Sequence, residues 1–86
     1  MKKAIDYHKL DLEITQEVGD VAGEGDAYCN LGNDFYSLGD FKKAIAYHQR
    51  HLGVMKDVGN VAGEGAAYNN LGADYVILGE YTKAKD

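Results

Sequence analysis

Three histidines and a single cysteine are the side chains of this 86-residue sequence best suited to metal binding or catalysis. His48 and His51 lie three residues apart, so a helix places both imidazoles on one face, where a pair can bind a metal ion. His8 and His48, however, occupy equivalent positions of an internal repeat and fall on the inward-facing stripe of two equivalent helices. We therefore interpret these histidines as packed core residues and predict no metal site.

Cys29 is the candidate nucleophile. A catalytic thiol needs a nearby base and an electropositive environment that favours the thiolate. Its near neighbours in the sequence are Asp26 and Asn30, which provide neither. A single cysteine also cannot form an internal disulfide, which suits a reducing compartment. We predict a cytoplasmic protein that is not an enzyme.

A glycine pair raises the question of a nucleotide cofactor. Gly23-Glu24-Gly25 has the spacing of the first two glycines of a dinucleotide-binding loop. The last glycine of that motif is replaced by Tyr28, and no strand precedes the segment. We predict no cofactor.

The composition excludes two classes of partner. The chain has 9 basic and 14 acidic side chains and a net charge of −5, which argues against a nucleic-acid-binding surface. No apolar run reaches the roughly 18 residues that a membrane span requires, and the segment from Met1 to Asp6 does not have the pattern of a secretion signal. Apolar residues at 45% and charged residues at 27% are typical of a globular domain.

The chain contains an internal repeat. A shift of 40 positions aligns residues 1–46 with residues 41–86, and just over half of the aligned pairs are identical. The segment 21–25 repeats as 61–65, and Asn30-Leu31-Gly32 repeats as Asn70-Leu71-Gly72. Such self-similarity is the signature of a repeat protein.

Each repeat unit predicts a pair of helices. Apolar residues recur at three- and four-residue steps, and each stretch ends at a glycine followed by a residue that can cap the next helix. These junctions are Gly19-Asp20, Gly39-Asp40, Gly59-Asn60 and Gly79-Glu80. They place helices at 2–18, 21–38, 41–58 and 61–78, with residues 81–86 beginning a fifth. The connections are so short that successive helices must pack antiparallel, which predicts an all-α solenoid of helix pairs, about two repeats long, forming one domain over residues 1–86.

Glycines inside two of these helices indicate close helix packing. Gly32 and Gly72 lie in mid-helix, where glycine costs about 1 kcal/mol relative to alanine. We interpret them as points where a partner helix approaches too closely for a side chain, and Ala44 and Ala84 as small for the same reason.

The repeat resembles a known family. Tyr28, Leu31-Gly32 and Phe35, followed by Gly39-Asp40-Phe41 and Ala44, are similar to the tetratricopeptide repeat, and the second copy has matching residues. The unit is 40 residues long where that family usually has about 34. The longer form, with Gly-Glu-Gly-x-Ala-Tyr-x-Asn-Leu-Gly, resembles the Pins/LGN family of G-protein-signalling modulators.

The resemblance implies a protein–protein interaction scaffold whose concave groove, lined by the first helix of each pair, holds a partner peptide. Asn side chains there can donate and accept hydrogen bonds along a peptide backbone. The candidate peptide-binding residues are Asp26, Cys29, Asn30, Asn33, Tyr36 and Ser37 in the first copy, and Ala66, Asn69, Asn70, Ala73, Val76 and Ile77 in the second.

One departure from the family bears on the partner. In the Pins/LGN group the residue after Gly-Glu-Gly is usually Arg, whereas this chain has Asp26 and Ala66. An acidic end of the groove around Glu24, Asp26 and Asp34 is a hypothesis that favours a basic partner segment. The simpler interpretation is that these charges form a solvated face.

The alternative function is self-assembly. We call the first helix of each pair a first-type helix and the second a second-type helix. The chain opens on a second-type helix and closes within a new helix pair, which we interpret as a segment of a longer array. Its first helix in one molecule could dock head-to-tail, or by a domain swap, on the last helix of another. The candidate self-association residues are Tyr68, Leu71, Tyr75 and Leu78.

Overall fold

Four α-helices make up the part of the chain that the structure describes. The computed structural model describes the backbone of residues 2–85 and the side chains of residues 2–80. The helices are α1 (Lys2–Val18), α2 (Val21–Ser37), α3 (Phe41–Asp57) and α4 (Val61–Lys85), and no strand occurs among these residues. Each helix packs against the next one in the chain. The predicted all-α helix-pair architecture is confirmed.

The junctions between helices are the local features that set this architecture. Gly19, Gly39 and Gly59 have φ angles of +75°, +81° and +70°, the left-handed conformation that favours glycine. At the second junction the Gly39 N–H donates to Tyr36 O (3.0 Å) and the Asp40 N–H donates to Phe35 O (2.9 Å), which closes α2 as a Schellman motif.

The residue after each glycine also caps the next helix. Asp20 Oδ1 accepts from the Gly23 N–H (2.9 Å), Asp40 Oδ1 from the Lys43 N–H (3.2 Å) and Asn60 Oδ1 from the Gly63 N–H (2.9 Å). One two-residue unit therefore ends one helix and starts the next, which fixes the tight reversal of the chain.

The fourth helix differs from the sequence prediction. The turn predicted at Gly79-Glu80 is wrong, because α4 continues without a break to Lys85 and Gly79 does not have a positive φ. Extending a helix adds one hydrogen bond per residue, whereas a new helix needs a costly first turn. Residue 86 lies outside the described part of the chain.

The core lies between the helices and is largely apolar. Ile5, Leu31, Phe35 and Ala44 form one buried cluster, and the Tyr47 ring stacks on Phe35 with 5.6 Å between the ring centroids. Leu31 and Ala44 are fully buried, which fits the predicted close contact between α2 and α3.

The two mid-helix glycines have different surroundings. A Cβ at Gly32 would lie 2.3 Å from His48 Cδ2, so the predicted close approach is confirmed there. A Cβ at Gly72 would meet no atom within 4 Å, so the same prediction is wrong for Gly72 among the described residues. The side chain of Ala84 lies outside the described part.

Candidate functional site

An open groove of about 490 Å³ runs along α4 and is bounded by Tyr36 of α2. Two of its apolar side chains, Tyr68 and Val76, are 54% and 62% exposed. The sequence-predicted residues Tyr36, Asn69, Ala73, Val76 and Ile77 meet here, which places apolar surface and an amide side by side. The full lining is Tyr36, Tyr68, Asn69, Gly72, Ala73, Val76 and Ile77.

A smaller cavity of about 220 Å³ shares Tyr36 and Ala73 with the groove. It brings together the predicted residues Asn33 of α2 and Asn70 of α4. Its two remaining lining residues, His48 and Asp74, are each only 1% exposed. The cavity thus lies beside the groove, and buried polar side chains line it. We call it the side pocket.

Cys29 contacts side chains of both first-type helices, α2 and α4. The amide nitrogens of Asn33 and Asn70 lie 3.9 and 4.0 Å from its sulfur. Burial of the thiol, and then the negative charge of Asp26, raise the pKa of Cys29 above its usual value. The thiol therefore stays protonated at neutral pH, the opposite of what a nucleophilic cysteine requires.

Several predicted groove residues lie outside both cavities. Asp26, Asn30, Ser37 and Ala66 are exposed and line neither the groove nor the side pocket. Whether they contact a partner stays a prediction.

The acidic cluster expected at one end of the groove is divided in the structure. Glu24 Oε1 accepts a hydrogen bond from the Tyr28 hydroxyl (3.0 Å), and Asp34 pairs with His8 of α1. Gln16 Nε2 of α1 also donates to Glu24 Oε1 (3.4 Å), so both carboxylates have a partner on α1. Only Asp26 is fully exposed, so the three carboxylates do not form one exposed cluster, and the preference for a basic partner segment stays a prediction.

His48 is a buried polar side chain with contacts to two other helices. Its Nδ1 donates to Asp74 Oδ2 on α4, and its Nε2 lies 3.1 Å from Asn33 Oδ1 on α2. A single imidazole on α3 therefore bridges both first-type helices and fixes their spacing. It is a core histidine, as its position on the inward stripe predicts.

An equivalent pair occurs one repeat earlier. His8 Nδ1 lies 2.5 Å from Asp34 Oδ2, but these side chains are 30% and 12% exposed, against 2% and 1% for His48 and Asp74. Both pairs are separated by 26 residues. Sequence reasoning missed Asp74, although this shared spacing was a signal for it. Among the described residues no three histidines, cysteines or carboxylates converge as metal ligands.

His51 gives the molecule a predicted pH dependence. Its side chain is buried, and its Nδ1 has no hydrogen-bond partner. Burial and then the neighbouring His48 lower the pKa of His51, while Asp26 opposes them. The unfolded chain therefore takes up this proton at a higher pH than the folded chain, so His51 makes the free energy of unfolding decrease as the pH falls below about 6.5.

This dependence is measurable by urea unfolding between pH 7.5 and pH 5. We expect the loss of stability on acidification to be smaller in His51→Gln than in the wild-type chain. Equal pH slopes for the two proteins would contradict the assignment to His51.

A stack of antiparallel helix pairs joined by glycine–cap junctions, with a groove along its first-type helices, defines the helical-repeat class of binding scaffolds. The chain belongs to the tetratricopeptide repeat family, whose model matches residues 1–57 and 26–86. Repeats of this family generally mediate protein–protein interaction.

The chain is also similar to curated members of the Pins/LGN group, as its long repeat predicts. G-protein-signaling modulator 1 from Homo sapiens is 46% identical over 39 residues, which is 45% of this chain and 6% of that protein. The Mus musculus and Rattus norvegicus proteins are each 42% identical over 41 residues, 48% of this chain and 6% of theirs. The chain thus corresponds to a small part of these relatives.

No helix in the described part of the chain is both long and apolar enough to span a membrane.

Proposed function

We propose that this chain binds an extended segment of a partner protein in the groove along α4. The observation that carries the proposal is the exposure of Tyr68 and Val76, at 54% and 62%, inside a 490 Å³ groove that also contains Asn69. Exposed apolar side chains gathered in a groove are typical of protein-binding surfaces.

The groove has complementary parts for a peptide. The apolar side chains offer area to bury, and tyrosine is enriched at the centres of interfaces. The Asn69 amide can both donate to and accept from a peptide backbone. Nothing in this arrangement requires catalysis, a metal or a cofactor, so the proposed role is that of a non-enzymatic scaffold. A cytoplasmic location stays a prediction.

The kind of partner is proposed only as a protein or peptide. The names of the curated relatives concern G-protein signalling, but the aligned part is a small share of those proteins and this chain has Asp26 where the resemblance implies arginine. We therefore do not extend the proposal to their signalling role.

A matched pair of substitutions on α4 tests the groove. Peptides are first selected from a random-sequence display library against the purified chain. We expect their affinity for the Val76→Glu protein to be lower by a factor of about ten or more, because a charge then lies in the apolar groove. Val61→Glu makes the same change on the same helix, at a residue 78% exposed and outside the groove, and is expected to bind as the wild type does. Affinities are measured by fluorescence anisotropy.

Two results would contradict the proposal. One is a selection that enriches no peptide above a scrambled background. The other is an equal affinity of the selected peptides for the Val76→Glu and Val61→Glu proteins.

Self-association is the second candidate function, and the exposed rings of Tyr68 and Tyr75 support it. Leu10 and Ile14 on α1 are half-exposed and offer apolar surface at the other end of the molecule. The predicted self-association set needs one correction, because Leu71 is only 8% exposed. Leu78 is partly buried.

Sedimentation over a range of concentrations tests this candidate. If the chain associates head-to-tail, its molar mass rises with concentration and Tyr75→Glu suppresses the rise. A mass that stays monomeric at all concentrations contradicts self-association and leaves the groove free for a partner.

A further inference from the structure

The Asp74 carboxylate has one oxygen without a partner. Asp74 is 1% exposed, and its Oδ2 is bonded to His48 while its Oδ1 is buried with no hydrogen-bond donor. A buried carboxylate oxygen without a donor is costly, and such atoms are rare in folded proteins. The equivalent Asp34 is not in this position, because its side chain is 12% exposed and in reach of water.

The unpartnered oxygen belongs to a residue that lines the side pocket. The side pocket is about 220 Å³, several times the roughly 30 Å³ that one water molecule occupies in the liquid. Ala73 leaves room at the point where the side pocket meets the groove, whereas the equivalent residue of the first copy is the larger Asn33. A side chain from a segment lying in the groove therefore has space to enter.

The lining of the side pocket selects the chemistry of that side chain. Besides Asp74 it consists of Asn33, Asn70, Tyr36, Ala73 and His48. No lysine or arginine is among these six residues, so the side pocket has no fixed positive charge that would bind an acidic side chain. An incoming carboxylate would be repelled by Asp74, and an apolar group would leave Oδ1 without a donor.

We propose that the side pocket binds an N–H-donating side chain of the partner segment, with Asp74 Oδ1 as the acceptor. This rests on the proposed function for the presence of a peptide in the groove, and it adds the residue class that the peptide must carry. The donor is the amide of Asn or Gln, or the cationic end of Lys or Arg. The Asn33 and Asn70 amides are the flanking groups that accept or donate the remaining hydrogen bonds.

Small-molecule probes test the side pocket without any peptide. Acetamide, guanidinium and acetate are titrated separately into the 15N-labelled chain, and the signals of Ala73 and of the Asn33 and Asn70 side-chain amides are followed by NMR. Acetamide or guanidinium is expected to give saturable shifts at these signals, and acetate is not. Which of the two saturates at lower concentration distinguishes a neutral from a cationic donor.

Two leucine substitutions provide the matched control. Ala73→Leu changes neither His48 nor Asp74, is designed to fill the side pocket, and is expected to abolish the shifts of the Asn33 and Asn70 side-chain amides. Ala62→Leu adds the same side chain at an exposed residue of α4 that lines neither the groove nor the side pocket, and it is expected to preserve the shifts. Equal responses to acetate, shifts that persist in Ala73→Leu, or no saturable shift at all would overturn the proposal; in the last case water alone satisfies Asp74.

Selected peptides test the same inference in the groove. One peptide position is expected to be enriched in Asn, Gln, Lys or Arg, and its replacement by alanine is expected to weaken binding roughly ten- to hundredfold. The Ala73→Leu protein is expected to bind the selected peptide and its alanine-replaced form equally. Peptides that bind without this preference overturn the donor-binding pocket and leave the groove intact. If no peptide binds, the proposed peptide-binding function of the groove is contradicted. The probe titration then tests donor binding in the side pocket independently.

Discussion

Replacing Asp74 with alanine is expected to lower the free energy of unfolding by about 1–3 kcal/mol. The His48 side chain is 2% exposed, and its Nδ1 would lose the acceptor that it has in the interior. The structure also loses a side-chain hydrogen bond between α3 and α4. This is a large part of the stability of a small domain, which is commonly about 5–15 kcal/mol.

The earlier repeat contains the control for this prediction. Asp34→Ala removes the equivalent carboxylate from His8, but that pair is 30% and 12% exposed, so water can solvate the imidazole that remains. We expect the loss of stability to be less than half of that in Asp74→Ala. Urea unfolding of both variants at pH 7 makes the comparison.

A conservative variant keeps the test informative if Asp74→Ala does not fold. Asp74→Asn retains the shape of the side chain and one carbonyl oxygen that accepts from His48 Nδ1, so it should fold with a smaller loss. Similar losses for Asp34→Ala and Asp74→Ala would show that burial of the His48–Asp74 pair does not determine its contribution.

The helix boundaries could be predicted because local chemistry determines them. A glycine in the left-handed conformation and a following Asp or Asn occur at residues 19–20, 39–40 and 59–60, and each pair satisfies backbone groups of both helices. Gly79 has the same sequence pattern, but its φ is not positive and α4 continues through it. A reversal also needs a following helix to pack back, and a sequence pattern does not report whether that contact forms.

The groove could be predicted in outline because it depends on helical periodicity. Residues at three- and four-residue steps share a face, so Asn69, Ala73 and Val76 had to lie together. Leu71 was misplaced because a helix in a solenoid has two neighbours. The stripe that faces a following helix overlaps the stripe that faces the preceding one, and Leu71 is buried on α4 among residues that pack against α3.

The polar contacts inside the site needed the structure. His48 and Asp74 are 26 residues apart on different helices, and neither residue alone signals the other. The equal spacing of His8 and Asp34 was visible in the repeat, but only the packing shows which pair is buried. That difference in burial leaves Asp74 Oδ1 without a donor, and the recognition role proposed for the second copy rests on it.

Alanine at Gly32 is expected to destabilise the chain, whereas alanine at Gly72 is expected to stabilise it. A Cβ at Gly32 would lie 2.3 and 2.4 Å from His48 Cδ2 and Nε2. The imidazole cannot move away, because it is bonded to Asp74 on one side and lies against Asn33 on the other. Overpacking of this kind costs about 1–3 kcal/mol, which outweighs the gain of up to about 1 kcal/mol in helix propensity.

Gly72 is the repeat-equivalent control with the opposite expected sign. Apart from its chain neighbours and its own helix backbone, no atom of the described residues lies within 4 Å of its Cβ position, so Gly72→Ala should raise the free energy of unfolding by about 0.5–1 kcal/mol through helix propensity alone. Thermal and urea unfolding of the two single variants give the signs directly.

A double variant isolates the cause of the Gly32 effect. In a His48→Ala background the imidazole is absent, so Gly32→Ala should no longer destabilise and should instead show the small gain expected of Gly72→Ala. If Gly32→Ala costs as much without the imidazole as with it, the close approach of His48 is not the reason for the glycine. If the loss of stability disappears, Gly32 provides the space in which His48 contacts both Asn33 on α2 and Asp74 on α4. The spacing of α2 and α4 then depends on that glycine.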